Sequence, residues 1–257
     1  MTNILAIAQK ELKSYFASPI AYIVIGLWAL LYGWFFTFIL NYFLRQSLQM
    51  SQFGMQGPQA MNINQQMIRP LLQNVTILVL FLMPMVTMRT YSEEKRSGTI
   101  ELLLTSPITD FQIIMGKFLG AMALYGVMLL VSLIHIGVLF AFGNPEWKPV
   151  ITFYLGLLLL GGCFVSLGLF ISSLTKNQIV AGAATFGVFL LLWVVDWIGQ
   201  SLGPTGESLT KYLSMTEHLD DFVKGVIDTK HLVYYVSFIT FGLFLTMRSV
   251  DAERWRG

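Results

Sequence analysis

Four consecutive ionisable side chains, from Glu93 to Arg96, open the segment 93–107, whose sequence is EEKRSGTIELLLTSP. Acidic and basic residues come first, and a run of leucines follows them. This combination is typical of a helix that places an apolar face in a groove on a partner protein. We therefore expect this segment to bind a partner protein rather than to catalyse a reaction. A solvated helical hairpin resting on a membrane is the alternative.

The same segment carries clear signals for a turn and a short helix. Gly98 permits a backbone turn that other residues resist. Residues 99–106 then predict a short helix that ends before Pro107, because the residue before a proline avoids the helical region. Two pairs in this part of the chain fit a capping box at a helix N-terminus: Thr90 with Glu93, and Thr109 with Gln112.

Two ionisable residues, His135 and Asp196, lie inside long apolar stretches. An ionisable group within a membrane is a candidate for a substrate pathway by default. Both residues lie toward one end of their stretch, and Asp196 is flanked by Trp193 and Trp197, as in the aromatic belt of a membrane interface. An interfacial or packing role is the favoured interpretation, and a pathway role is the alternative.

Two polar segments contain side chains that could bind a metal ion. Residues 45–69 contain methionines, whose thioethers bind Cu(I), but their spacing is irregular: Met50, Met55, Met61 and Met67. Residues 207–231 contain acidic and histidine side chains: Glu217, His218, Asp220, Asp221, Asp228 and His231. Ser214 with Glu217 fits a capping box, which predicts a short helix in the second segment. We predict no metal-binding residue in either segment.

Motifs for catalysis and nucleotide binding are absent from the sequence. The Gly116-Lys117 pair has Phe111 where a phosphate-binding loop needs its first glycine, and Phe118 where it needs Ser or Thr. The single Cys163 excludes an intrachain disulfide and a zinc cluster built on cysteines. We therefore predict no catalytic or cofactor-binding residue and no enzymatic activity, and we expect any ATP to be hydrolysed by another chain.

Composition explains why so few side chains can do chemistry. The chain has 257 residues, of which 55% are hydrophobic and 12% charged, and its mean hydropathy is +0.67. The net charge of +2 is too small to indicate nucleic-acid binding. Apolar runs of spanning length predict an all-α integral membrane protein with six transmembrane helices, at about residues 20–40, 71–88, 118–140, 153–174, 179–198 and 232–247. No linker divides residues 1–257 into separate domains.

The N-terminus and the distribution of Lys and Arg predict how the chain lies in the membrane. Residues 2–17 have apolar residues at helical spacing, which predicts an amphipathic helix in the interface plane. With the N-terminus inside, the inner segments hold ten Lys and Arg residues and the outer segments six. The positive-inside rule then predicts both termini and residues 88–117 in the cytoplasm, and residues 199–231 outside.

Several stretches resemble type-2 ABC transporter permeases of the bacterial inner membrane. They are KELKSYFASPIAYIVIG at the start, EEKRSGTIELLLTSPIT followed by IIMGKFLG, SSLTKNQIVA, and TEHLDDFVKGVIDTKHLVYY before the last span. The resemblance runs along nearly the whole chain and is closest to the permease subunit of gliding-motility-type systems. It implies an exporter or a force-transmitting complex in which two copies of a separate cytoplasmic ATPase hold ATP and magnesium. It also implies a second permease copy or related membrane subunit, and allows an extracytoplasmic auxiliary subunit.

The resemblance also implies which residues meet the ATPase. In such permeases the N-terminal helix and the first two cytoplasmic loops form that surface. The corresponding residues here are Lys10, Glu11, Lys13, Glu93, Glu94, Lys95, Arg96, Gly98, Thr99, Glu101, Leu103, Pro107, Thr175, Lys176 and Asn177.

Other functions fit the same residues. A membrane scaffold or assembly factor without an ATPase is one alternative, and a permease linked to the maturation of copper enzymes is another. A secondary transporter would need paired broken helices with charges at the midplane, and the sequence shows none. Small residues four apart predict close helix packing, within the subunit or across a dimer: Gly116 with Gly120, Gly162 with Ser166, and Ala183 with Gly187.

Overall fold

The computed structural model describes residues 2–52, 63–201, 210 and 214–254, and the regular structure in this part of the chain is helical. The helices are α1 (Thr2–Ala17), α2 (Pro19–Gln52), α3 (Arg69–Thr87), α4 (Ser92–Ser97), α5 (Thr99–Leu104), α6 (Asp110–Phe142), α7 (Trp147–Ser173), α8 (Gln178–Ser201), α9 (Glu217–Val223) and α10 (Thr229–Arg254), with a π-helical turn at Asn64–Ile68.

Six of these helical stretches are long and apolar enough to cross a membrane, which confirms the predicted fold class. They are Pro19–Gln49, Asn64–Ser97, Asp110–Phe142, Trp147–Ser173, Gln178–Val195 and Thr229–Arg254. Each predicted span lies within one of the six long helices, except that the second and fourth predicted spans end one residue beyond α3 and α7. The helices extend beyond the predicted spans because polar residues continue the backbone hydrogen bonding past the apolar run.

Helices α3 and α7 form the interior of the bundle, whereas α2, α8 and α10 leave most of their surface exposed. Helix α7 packs against α3, α6, α8, α9 and α10. Cys163 lies in this interior, fully buried, with its Sγ 3.6 Å from the carbonyl oxygen of Tyr235. At this position Cys163 serves as a small packing residue.

Glycines allow α1 to lie directly on α6. A Cβ atom on Gly116 would stand 2.6 Å from Ile7, and one on Gly120 would stand 2.7 Å from the Cβ of Glu11. Gly162 meets Ile239 of α10 in the same way, at 2.7 Å. The first two predicted small-residue pairs therefore serve packing within the subunit. At Gly187, by contrast, a Cβ would meet no described atom within 4 Å.

Replacing Gly116 by alanine should destabilise the protein, whereas the same change at Gly126 should not. The added methyl group at Gly116 would overlap Ile7, and overpacking of this kind costs about 1–3 kcal/mol. Gly126 lies on the same helix with open space around it, and alanine is the better helix former by up to about 1 kcal/mol. Thermal unfolding in detergent measures both variants. Equal midpoints would contradict the close packing of α1 on α6.

Candidate functional site

Helices α4 and α5 form a tight hairpin at one end of the bundle, which we call the proximal end. Gly98 joins them with φ of 71°, in the left-handed region where a side chain would be strained. The hydroxyls of Ser97 and Thr99 lie 2.9 Å apart across this turn. The predicted turn and short helix are confirmed, with α5 ending at Leu104 rather than at residue 106.

One of the two predicted capping boxes at this end is correct. Thr109 caps α6: its hydroxyl accepts the backbone N–H of Gln112, and the Gln112 side chain accepts the backbone N–H of Thr109. The box at Thr90 and Glu93 is wrong, because α4 begins at Ser92 without a side-chain cap. Thr90 instead donates its hydroxyl to the carbonyl oxygen of Thr87 at 3.0 Å, which continues the preceding turn.

A group of charges, buried except for Lys10, lies behind the α4–α5 hairpin. We call Lys117, Glu11, Glu94 and Lys10 the Lys117 cluster. The Lys117 Nζ lies 3.0 Å from the Glu11 carboxylate and 2.9 Å from that of Glu94, and it donates to the carbonyl oxygen of Thr90 at 2.9 Å. Lys10 pairs with the same two carboxylates, at 3.2 and 3.0 Å. The cluster therefore joins three elements, α1, α4 and α6.

Burial and pairing act in opposite directions on the ionisation of this cluster. The Lys117 side chain is fully buried, and Glu11 is 8% exposed. Burial alone would raise the pKa of the Glu11 carboxyl, but Lys117 and Lys10 outweigh burial and hold that pKa below its usual value. Burial lowers the pKa of Lys10, and Glu11 and Glu94 outweigh burial and raise it. The pairing thus favours the charged forms of Glu11 and Lys10.

Further contacts fasten α4 and the turn before it to the rest of the bundle. Arg89 donates to the carbonyl oxygen of Ser14 at 3.1 Å. The Ser172 hydroxyl of α7 accepts the backbone N–H groups of Tyr91 and Ser92, each at 3.1 Å. Lys95 of α4 pairs with Glu253 of α10 at 2.7 Å. Helix α4 is therefore tied to α1, α6, α7 and α10 and is placed to move with them.

The residues predicted to meet an ATPase fall into two groups in the structure. Those with exposed side chains are Lys10, Lys13, Glu93, Arg96, Thr99, Glu101, Pro107, Lys176 and Asn177, with Gly98 at the exposed turn and Leu103 and Thr175 half-buried. Glu11, Lys95 and Glu94 are buried or nearly so and pair with other helices. The exposed residues are available to a partner, and the buried ones hold the surface in place behind them.

The sequence analysis missed two residues at this end. Leu102 is 72% exposed on α5, while Ile100 faces the interior at 5%. Leu102 is therefore the more prominent apolar side chain, beside the predicted anchor Leu103. Lys117 was counted among the inner positive charges and weighed as part of a phosphate-binding loop, but it was given no role in a buried cluster. Its place in an otherwise apolar helix was the signal that could have identified it, because such a charge needs a buried partner.

The candidate pathway residues lie apart from the Lys117 cluster along their helices. The His135 ring of α6 lies between Tyr32 and Phe36 of α2, with centroid distances of 5.2 Å to each. Its Nε2 also packs closely on Gly33. These contacts agree with the packing role favoured from the sequence. The backbone of Asp196 lies in α8, and its side chain falls outside the described part of the chain.

The opposite, distal end of the bundle carries α9 and the two polar segments. The predicted short helix is present as α9, which begins at Glu217 with Thr216 as its N-cap and no side-chain hydrogen bond at that cap. The Ser214 hydroxyl, predicted to cap the helix, accepts the backbone N–H of Glu217 at 3.3 Å from the turn before it. In the described residues, no group of three or more His, Cys, Asp and Glu side chains is arranged to hold a metal ion. Of the four methionines, Met67 is buried, whereas Met55 and Met61 lie outside the described residues and so does the side chain of Met50.

Comparison with known proteins gives one family and one pair of relatives. The model of a family described as ABC-2 family transporter protein matches residues 5–246. The probable multidrug ABC transporter permease YbhR of Escherichia coli strain K12 is 32% identical over 147 residues, and so is YbhR of Escherichia coli O157:H7. The aligned stretch covers 55% of this chain and 38% of each relative, well under two thirds of their length.

Proposed function

Because this chain belongs to the ABC-2 family of transporter proteins, we propose that it is the membrane subunit of an ATP-driven transporter whose ATPase is a separate cytoplasmic protein. The observation that carries the proposal is the α4–α5 hairpin. It presents an exposed leucine, Leu102, among charged residues, and the buried Lys117 cluster fixes it to the membrane helices. An exposed apolar anchor with a charged rim has the character of a binding surface.

In this proposal the ATPase acts on the bundle through α5. A groove on the ATPase takes Leu102 and Leu103, and Glu101 and Arg96 meet charges at its rim. When two ATPase copies close on ATP and magnesium, α5 is displaced. Helix α4 follows because Gly98 joins it directly to α5. Lys117, Glu11 and Lys95 then transmit the displacement to α6, α1 and α10.

The proposal includes a second membrane subunit beside this one. Helices α2 and α8 leave large side chains exposed, among them Trp34 at 58% and Leu191 at 66%. These faces are available to a second copy or a related subunit. We also propose outward movement of cargo. The relatives are named probable multidrug permeases, and apolar small molecules suit a bundle lined by Phe, Leu and Met. We also propose that the chain belongs to the gliding-motility-type branch of the family. This part of the proposal rests only on the sequence stretches that resemble such permeases.

The proposed function requires the α4–α5 hairpin to face the cytoplasm, together with both termini. Asn144 lies exposed at the distal end and Lys176 lies exposed at the proximal end. In a Cys163→Ala background, a membrane-impermeant thiol reagent should label Asn144→Cys in intact cells and should spare Lys176→Cys until the cells are lysed. Labelling of Lys176→Cys in intact cells would place the hairpin outside, where no cytoplasmic ATPase could reach it.

A further inference from the structure

Two buried histidines meet at the distal end, where α9 packs on the start of α10. The Nδ1 atoms of His218 and His231 lie 2.6 Å apart, and the rings are 4.8 Å apart at an angle of 71°. The Nε2 of His231 lies 2.8 Å from the Asp221 carboxylate. Both histidines are almost fully buried, at 7% and 5% exposed. A chain of three titratable groups therefore links the two helices.

The geometry of this contact admits only one proton between the two rings. The Nε2 of His231 donates to Asp221, since the ionised carboxylate only accepts. With both rings neutral, His218 Nδ1 donates to His231 Nδ1. One added proton leaves that bond in place, because a single N–H group still lies between the two Nδ1 atoms, whichever ring carries the charge. A second proton puts an N–H group on each Nδ1, and two facing donors at 2.6 Å cannot coexist.

Several other charged groups around the pair form ion pairs with one another. Asp221 also meets Lys224 at 3.2 Å and Lys230 at 3.9 Å. The hydrogen bond from His231, with further help from Lys224, lowers the pKa of the Asp221 carboxyl in spite of partial burial. In the described residues, the surroundings of the pair also include Glu217, Asp220, Asp228, Arg69, Tyr234 and Tyr235. Asp221 therefore stays ionised as the histidines gain protons.

The same contact forms part of the wall of a cavity between α9 and α10. The cavity has a volume of about 940 Å³. Its lining is charged near the histidines and becomes apolar along α10, at Tyr234, Phe238 and Phe241. Tyr234 also stacks on the His218 ring, with centroids 3.9 Å apart. Separation of α9 from α10 at this point would change the width of the cavity at its charged end.

We propose that the His218–His231 contact is a pH-sensitive latch that holds α9 against α10 and opens when both imidazoles are protonated. The latch goes beyond the proposed function, because it acts on the distal end whether or not an ATPase drives the chain. The number of protons on the pair sets the direction of the pH dependence. The contact stabilises α9 while at most one proton is added to the pair, and that stabilisation is lost as the pH falls and the second proton binds. Protonation of clustered histidines is a common trigger for such changes.

Hydrogen–deuterium exchange of the purified full-length protein tests the latch. Protection factors, corrected for the intrinsic exchange rate at each pH, are compared at about pH 7.5 and about pH 5, on either side of the ordinary histidine pKa of about 6.5. We expect protection of residues 217–223 to fall about tenfold in the wild type, the effect of losing one buried hydrogen bond. Protection of residues 2–17 serves as the internal control. The charged residues Glu11 and Lys10 of this helix should not respond to this pH change, because the pKa of the Glu11 carboxyl lies below its usual value and the pKa of Lys10 lies above its own.

Two variants, His218→Phe and His218→Asn, identify the group responsible. Phenylalanine keeps the stacking on Tyr234, and asparagine keeps a donor toward His231, while neither gains a proton at this position. In both variants the protection of α9 should be independent of pH, whatever its absolute level. The proposal is overturned if wild-type α9 shows no pH response beyond that of residues 2–17. It is equally overturned if either variant keeps the wild-type response.

Discussion

Replacement of Lys117 by methionine is expected to cause the largest loss of stability of any single change at the proximal end. The variant leaves the Glu11 and Glu94 carboxylates buried and paired with the exposed ammonium of Lys10. Removing one partner of a buried ion pair costs about 3–5 kcal/mol, because the remaining charge stays desolvated. The backbone carbonyl of Thr90 loses its donor as well. We expect α1 and α4 to detach from α6 while the membrane helices remain folded.

Thermal unfolding and limited proteolysis of the purified protein measure this effect, with Lys10→Met as the matched control. The Lys10 side chain is 59% exposed and belongs to the same cluster. An exposed pair contributes at most about 1 kcal/mol, so this control should behave nearly as the wild type does. Adding Glu11→Gln to Lys117→Met should restore part of the loss, since it removes one of the two stranded charges. Identical behaviour of Lys117→Met and Lys10→Met would show that the cluster does not hold the hairpin.

Replacement of Leu102 by aspartate is expected to release the partner ATPase without unfolding the chain. Truncation of an apolar anchor in a buried groove costs about 2 kcal/mol or more, and a charge placed there adds desolvation. Affinity should fall at least about thirtyfold, since each 1.4 kcal/mol is about tenfold. Leu103→Asp should act in the same direction, although that side chain is already partly covered by the protein. Because Leu102 is 72% exposed, the fold has little to lose from the change.

Two controls separate the anchor from a general effect of surface charge. Glu101→Gln changes a residue at the rim and should weaken binding only slightly. Ile227→Asp introduces the same charge at an exposed apolar residue of the distal end and should leave binding unchanged. The quantity measured is the amount of ATPase that co-purifies with each tagged variant, with ATP turnover in the same sample. Full binding and turnover in both Leu102→Asp and Leu103→Asp would exclude α5 as the anchor.

Features set by nearby residues were predictable from the sequence. The six spans follow from runs of apolar residues, and the α4–α5 hairpin follows from Gly98 and Pro107, because both patterns act within a few residues. The capping box at Thr109 was correct for the same reason. The box at Thr90 failed because that hydroxyl continues the turn after α3, in a buried position where tertiary packing outweighs the local motif.

Features set by distant residues were not predictable. Glu11 and Lys117 are separated by 106 residues, and Lys95 and Glu253 by 158. The charges of residues 93–96 were therefore all expected to meet a partner, since nothing in their neighbourhood revealed a buried partner within the chain. The His218–His231 contact was hidden for a similar reason. It depends on how α9 folds back onto α10, which the turn between them decides.

Purification of the tagged wild-type chain from its native membranes, with identification of every bound protein, tests the central claim most directly. The account predicts a protein with a phosphate-binding loop in amounts matching the chain, retained by the wild type and lost from Leu102→Asp. It also predicts that ATP hydrolysis follows that protein through the purification. A folded wild-type chain isolated from intact native membranes without any such protein would contradict the account and favour a membrane scaffold instead.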